Sequence, residues 1–233
     1  MCKKTINDIV IFHEENRTSV INEVFVEDCY NIQDIPVGSS VIDIGAHIGT
    51  FTLRCAKERD CTVYSYEPSP INYGFLKKNI EANNLTNKVK IFNKAIGKKH
   101  EKRLFYHNLN HPAGSSFFLG NNPTFKTHQL IESIIETITL GQIITDNNIT
   151  HCDIIKIDCE GAEKEIFTAN SKPYFKKTDY VILEWHNYDG HIYSQYLQDL
   201  GFTTHLTGCG DPPPKYDVTF ARGILYGTNE KNI

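Results

Sequence analysis

Two groups of acidic residues in this chain of 233 residues stand where a carboxylate can do chemistry. The first is Asp43, followed by Gly45 and Gly49 with Ala46 and His47 between them, and then Glu67, 18 residues beyond Gly49. A Gly-x-x-x-Gly turn lets backbone pass close under a ligand, and amides at the start of the following helix can face a carboxylate. His47 stands where a dinucleotide fingerprint has its middle glycine, and a pyrophosphate would meet Asp43 as a like charge, so a nicotinamide cofactor is disfavoured. S-adenosylmethionine has no phosphate, and its ammonium is a suitable neighbour for Asp43, directly or through water. Glu67 can accept hydrogen bonds from both hydroxyls of its ribose.

The second group, Asp158, Glu160, Glu184 and His186, suits the transfer step. Methyl transfer from a sulfonium is an in-line displacement: donor and acceptor are aligned, and a hydroxyl acceptor must lose a proton. Asp158, Glu160 and His186 are the catalytic candidates. His186 can act as general base near neutral pH, with Glu160 or Asp158 orienting it or taking the proton itself. The same groups with Glu184 could instead hold a divalent ion and the acceptor together, although the leading reading has no metal. Lys156 sits among Ile154, Ile155 and Ile157, where an unpaired ammonium is costly, and Glu184 on the next strand is its expected partner.

These residues are placed by elements whose hydrophobic period alternates between strand and helix. Residues 8–12 and 22–26 read as the two extended segments of an N-terminal hairpin. An apolar strand at 40–44 leads through the glycine turn into a helix running to about residue 59. A strand at 61–66 ends at Glu67, and Ser69 can cap a helix that keeps Ile71, Phe75, Leu76 and Ile80 on helical spacing. Strands follow at 88–92, 134–138, 154–157 and 180–185, with helices at 140–147, from Gly161, and at 192–200, and a terminal strand pair near 203–206 and 218–226. The expected class is α/β, a mainly parallel sheet with helices on both faces and ligands beyond the carboxyl ends of its strands.

Residues 100–128 break the rhythm and read as a long substrate loop or insertion. His107, Asn108, His111, Ser115 and Ser116 there can exchange hydrogen bonds without net charge, which suits a hydroxylated small molecule or a sugar as acceptor.

Four stretches together resemble the FkbM-type S-adenosylmethionine-dependent methyltransferases: Val41-Ile42-Asp43-Ile44-Gly45-Ala46-His47-Ile48-Gly49, Tyr66-Glu67-Pro68-Ser69-Pro70, Asn93-Lys94-Ala95-Ile96-Gly97, and Ile155-Lys156-Ile157-Asp158-Cys159-Glu160-Gly161-Ala162-Glu163. The last is the most specific, and the resemblance runs from about Val24 to His186. It implies a Rossmann-like class I methyltransferase fold, a seven-stranded sheet with an antiparallel last strand. The methyltransferase domain is read as residues 39–233, with 1–38 as a short N-terminal β extension carrying the hairpin. The resemblance also implies that Asn93 and Ala95 border the adenine and that Pro68 and Ser69 flank it. Asp158 would lie beside the methyl group. His47 stands where the family often has Asn.

Composition narrows the partners. Lys and Arg number 24 against 28 Asp and Glu, a net charge of −4, so no global positive field exists to gather a nucleic acid. Asp211-Pro212-Pro213-Pro214-Lys215-Tyr216 is similar to a motif of amino-group DNA methyltransferases, but it lies far from the fourth main strand and reads as a surface turn. Seven cysteines without a CxxC pair read as free thiols in a reducing compartment. No signal peptide is expected, nor any apolar run near the roughly 18 residues of a membrane span, and a cytoplasmic location follows as the expectation. The leading function is O-methylation of a small molecule or sugar by S-adenosylmethionine. The alternatives are a divalent-metal-dependent O-methyltransferase and a catalytically silent S-adenosylmethionine-binding regulatory protein.

Overall fold

Asn7 and Asp8 both take the left-handed backbone conformation, with φ of 49° and 61°, as the two central residues of a tight hairpin turn require. They join β1 (Cys2–Ile6) to β2 (Ile9–His13) in antiparallel register. The computed structural model describes residues 1–108, 130–186, 189–208 and 222–232. In it the segment at 22–26, expected to be extended, belongs instead to α1 (Thr18–Phe25). Ile21 and Val24 are both buried, and a three-residue spacing puts them on one helix face. The hairpin's true partner strand lies upstream of 8–12, at Cys2–Ile6.

The chain then alternates as expected through β3 (Ser40–Ile44), α2 (Thr50–Glu58), β4 (Thr62–Tyr66), α3 (Pro70–Ala82) and β5 (Val89–Phe92). The short β6 (Ala95–Ile96) and two longer strands, β7 (Glu101–Asn108) and β8 (Leu130–Ile138), form a separate three-stranded sheet. The expected loop at 100–128 is therefore a strand as far as Asn108, and residues 109–129 lie outside the described residues. The alternation of Phe105 and His107 inward with Leu104 outward is a strand period that polar residues hid.

After α4 (Leu140–Asp146) come β9 (Cys152–Ile157), α5 (Lys172–Phe175), β10 (Thr178–His186), α6 (Gly190–Gln198), β11 (Phe202–Gly208) and β12 (Arg222–Asn229). The helix expected from Gly161 is replaced by two short 3₁₀ turns, Glu163–Glu165 and Ala169–Ser171, and by α5 with Pro173 in its first turn. Glu160 and Gly161 both have positive φ, 52° and 93°, which a helix start cannot accommodate.

Seven strands form one sheet in the order β11-β12-β10-β9-β3-β4-β5, parallel except for β12, which is antiparallel to both neighbours. Alternate residues of the parallel strands feed two cores. Val41, Val63, Val89 and Ile154 pack with α1, α2 and α3, while Ile42, Ile44, Ile155 and Ile157 pack with α4, α5 and α6. Strand order reverses direction at β3, between β4 and β9, so a crevice must open at the carboxyl ends of these strands. Among the described residues no helix is long and apolar enough to cross a membrane. Cys2, Cys29, Cys55, Cys61, Cys152 and Cys159 are free thiols. Cys209 and the Asp211-to-Tyr216 stretch lie outside the described residues.

Candidate active site

The turn after β3 is set by backbone geometry. Gly45 has φ 81°, and a Cβ there would lie 1.7 Å from the Asp158 carbonyl oxygen, so no other residue fits. The Gly45 and Ala46 amides both donate to the Tyr66 carbonyl, at 2.9 and 3.0 Å. His47 has φ 54°, a conformation that Asn and His tolerate better than most side chains. Its amide donates to Glu67 Oε2 at 2.8 Å, while the Ser69 amide (2.8 Å) and Asn72 Nδ2 (3.3 Å) donate to Glu67 Oε1. Burial nevertheless pushes the Glu67 carboxyl up to about 7, because these donors offset only part of the desolvation. Ser69 also caps α3, and Asn93 Nδ2 ties the turn by donating to the Glu67 and Pro68 carbonyls at 2.8 and 2.9 Å.

Asp43 stands behind this turn. It is fully buried, takes a hydrogen bond from Thr52 Oγ1 at 2.6 Å, and lies 3.2 Å from the Lys156 ammonium. The expected Lys156–Glu184 pair is therefore corrected. Asp43 and Lys156 are paired residues of adjacent parallel strands and share a sheet face, whereas Lys156 pairs with Ile182 on the other side, two residues short of Glu184. Lys156 also donates to the Gly45 carbonyl at 2.9 Å and lies 3.8 Å from Asp158 Oδ2. Burial pulls its pKa down, but Asp43 and Asp158 outweigh that and hold it above its ordinary value.

Past β9 and β10 the carboxylates converge. His186 Nδ1 is 3.0 Å from Glu163 Oε1, and its Nε2 is 3.6 Å from Glu160 Oε2 and 3.9 Å from Glu184 Oε1. Glu163 Oε1 also accepts from the Cys159 and Gly161 amides, both at 3.1 Å, which fixes the left-handed turn carrying Glu160. Burial works against the imidazolium, yet the Glu163 hydrogen bond and the surrounding carboxylates lift His186 to about 10. Burial raises the Glu160 carboxyl to about 8, with Asp158, Glu184 and Glu163 adding to the rise and His186 opposing it. Asp158, Glu160 and His186 bring one ligand atom each within 4.8 Å of one another, close enough to share a divalent ion. Glu163 holds His186 through Nδ1, which leaves Nε2 as the ring nitrogen facing Glu160 and Glu184.

Between these two ends lies a cleft that is partly open to solvent. Of the residues expected at a cofactor, Gly45, Ala46, His47, Glu67, Pro68, Ala95 and Asp158 line it, and so do Glu160 and Glu184. Asp43, Gly49, Ser69, Asn93 and His186 stand behind the wall. A Cβ at Gly49 would lie 2.6 Å from Leu76 Cδ1, so that glycine serves the packing of α2 on α3. His107 is buried between Ser69 Oγ, at 3.2 Å, and Ser133 Oγ, and Asn108 is buried too. His111, Ser115 and Ser116 lie outside the described residues.

Several wall or support residues carried no recognisable signal. Tyr30 and α1 residues Ser19 and Glu23 line the cleft from the N-terminal segment. Arg17, 2% exposed, reaches the same site by donating to Asn72 Oδ1 at 2.7 Å, and Asn72 in turn holds Glu67. Glu163 follows the Gly161 turn after β9, and a carboxylate just after a glycine turn was the available hint.

The methyltransferase FkbM domain matches residues 43–204, the span that carries both halves of this cleft. The chain belongs to the FkbM methyltransferase family. It is 22% identical over 176 residues to Methyltransferase 1 of Beauveria bassiana (strain ARSEF 2860), covering 70% of each chain. It is 22% identical over 234 residues to Methyltransferase sdnD of Sordaria araneosa, covering 87% of this chain and 88% of that one. The crystal structure of methyltransferase FkbM from Methylobacillus flagellatus KT superposes with a TM-score of 0.51 at 15% identity, over 82% of this chain and 43% of that one, so this chain spans less than half of that protein. TrmK of M. capricolum, solved with its cofactor product S-adenosyl-homocysteine, gives a TM-score of 0.52 at 10% identity over 91% and 68% of the two chains. The expected class I Rossmann-like methyltransferase fold is thus borne out, and the chain is a methyltransferase.

Proposed function

We propose that this methyltransferase moves a methyl group from S-adenosylmethionine to a hydroxyl of a small molecule or sugar. The observation that carries the reading is the division of the cleft, with Glu67 at one end and the carboxylates Asp158, Glu160 and Glu184 at the other. Such a wall suits a cationic donor and repels the phosphates of a dinucleotide. When bound, S-adenosylmethionine supplies an electrophilic methyl group on a sulfonium. Glu67 takes the ribose hydroxyls, its two oxygens already oriented by the His47 and Ser69 amides and by Asn72. Pro68 and Ala95 flank the adenine, with Ser69 and Asn93 holding their turn. Gly45, Ala46 and His47 line the methionine end, and Asp43 acts through Lys156.

Glu160 removes the acceptor's proton. Its carboxyl, raised to about 8, gives up its proton as pH rises through that value, and the carboxylate formed is basic enough to take another. This moves the base from His186, which as an imidazolium offsets the surrounding negative charge. Asp158 orients the acceptor's hydroxyl. The methyltransferase domain is assigned to 39–233, with residues 1–38 completing its cleft, and His111, Ser115 and Ser116 stay candidates for acceptor contact.

The test is an incubation with methyl-labelled S-adenosylmethionine, a panel of hydroxylated metabolites, sugars and matched amines, and excess EDTA. Label on oxygen that survives chelation is expected. Label confined to amines, label that disappears on chelation and returns with a divalent ion, or cofactor binding without any transfer would each contradict the reading.

A further inference from the structure

Tyr30 lies in the segment Val26-Glu27-Asp28-Cys29-Tyr30-Asn31, which carries no motif, yet it is 5% exposed and its position is fixed from two sides. Arg54 of α2 donates to the Val24 carbonyl at 2.5 Å and to Asp28 Oδ1 at 2.6 Å. Tyr226 Oη on β12 donates to the Cys29 carbonyl at 2.7 Å. The Tyr30 ring meets Phe51 edge-on, centroids 5.5 Å apart at 84°, and the Lys156 ammonium stands 5.3 Å from its centre. A side chain held in this way presents its hydroxyl without further ordering.

That hydroxyl is 3.1 Å from Asp158 Oδ2 and 3.0 Å from Glu184 Oε2. It has a single proton, so the two carboxylates share one donor. Burial, with Asp158 and Glu184 adding to it, raises the phenol well above its ordinary range, which keeps it a donor. Asp158 Oδ2 is thus engaged by both Tyr30 and Lys156, while Asp158 Oδ1, though buried, has no hydrogen-bond partner among the described residues. A buried carboxylate oxygen without a donor is costly, and a ligand hydroxyl would satisfy it. The other charged or titratable groups near this pair include Glu23 of α1, Cys29, His47, Cys159 and Glu160 of the neighbouring loops, and His186 of β10.

We propose that Tyr30 is a positioning residue of the transfer site: together with Lys156 it holds one oxygen of Asp158 and leaves the other to bind the acceptor's hydroxyl. The catalytic part of this statement rests on the donor and acceptor assigned above; the holding of Asp158 does not.

Two measurements on the full chain separate these parts. Carboxyl carbon NMR of the free protein, with the resonances assigned through Asp158→Asn and Glu184→Gln, compares wild type with Tyr30→Phe. The phenylalanine keeps the ring on Phe51, so the expected result is an unchanged fold with the Asp158 and Glu184 resonances displaced and other carboxyls in place. Coincident spectra would overturn the proposal whatever the acceptor proves to be. In the second arm, on an acceptor that the wild type methylates, Tyr30→Phe should lower kcat about 10- to 100-fold while the KM for S-adenosylmethionine stays within about threefold. Tyr30→Phe/Asp158→Asn should be no slower than Asp158→Asn alone, because the hydroxyl acts through that carboxylate. Wild-type kcat in Tyr30→Phe, or full additivity in the double variant, would refute the catalytic part. A wild type that methylates amines alone defeats the hydroxyl assignment and leaves the spectral comparison to decide the rest.

Discussion

Lys156 Nζ lies 3.2 Å from Asp43 Oδ1, and neither side chain reaches solvent, their exposures being 3% and 0%. The pair crosses from β9 to β3 directly beneath the glycine turn, and the same ammonium holds the Gly45 carbonyl at 2.9 Å. It therefore joins the two strands whose carboxyl ends open the cleft.

Breaking this pair should be expensive. Lys156→Met leaves Asp43 as a buried carboxylate with only Thr52 and the sheet around it, a change that costs about 3–5 kcal/mol where one partner of a buried pair is removed. Urea unfolding of the variant measures the loss. A variant within about 0.5 kcal/mol of wild type, the range of ordinary surface substitutions, would contradict this role.

His186 should make stability depend on pH. Its folded pKa of about 10 lies above its ordinary value of 6.5 because Glu163 and the neighbouring carboxylates favour the imidazolium. The folded chain therefore holds this proton more tightly than the unfolded chain does. The contribution is fully present below pH 6.5 and disappears as pH rises through about 10. In His186→Gln, thermal unfolding should show the gap from wild type narrowing across that window, and a constant gap would refute it.

The sheet was legible because its strands are bounded by turn residues and its helices keep a helical period; Ser69 as a cap and Gly45 as a turn were readable for the same reason. The N-terminal helix was not, since the β-branched and aromatic run Val24-Phe25-Val26 passes for a strand while burial follows Ile21 and Val24. The cleft was legible where backbone dictates it, at Gly45, His47 and Glu67. It was not where tertiary contacts decide. Lys156 chose Asp43 over Glu184 through strand register, Tyr30 entered from a segment without a motif, and the Glu163 carboxylate that holds His186 Nδ1 came from the turn after β9.

Glu160 should carry the acid limb of the rate profile. In the free enzyme kcat/KM should fall below a pH of about 8, where the buried carboxyl becomes protonated. Glu160→Gln should lower kcat by about 10²- to 10⁴-fold, the usual worth of a general base, with the affinity for S-adenosylmethionine changed only a few-fold. A profile measured in both forms decides the matter: the same limb persisting in Glu160→Gln would place the base elsewhere.

The central claim is that S-adenosylmethionine sits in this cleft with its ribose on Glu67, and calorimetry tests it most directly. Wild type should bind S-adenosylmethionine one to one, more weakly below a pH of about 7 as Glu67 is protonated. Glu67→Ala should weaken binding by about 1–3 kcal/mol, the loss expected for charge-assisted hydrogen bonds. Equal affinity in wild type and Glu67→Ala, or no heat of binding in the wild type, would contradict the account.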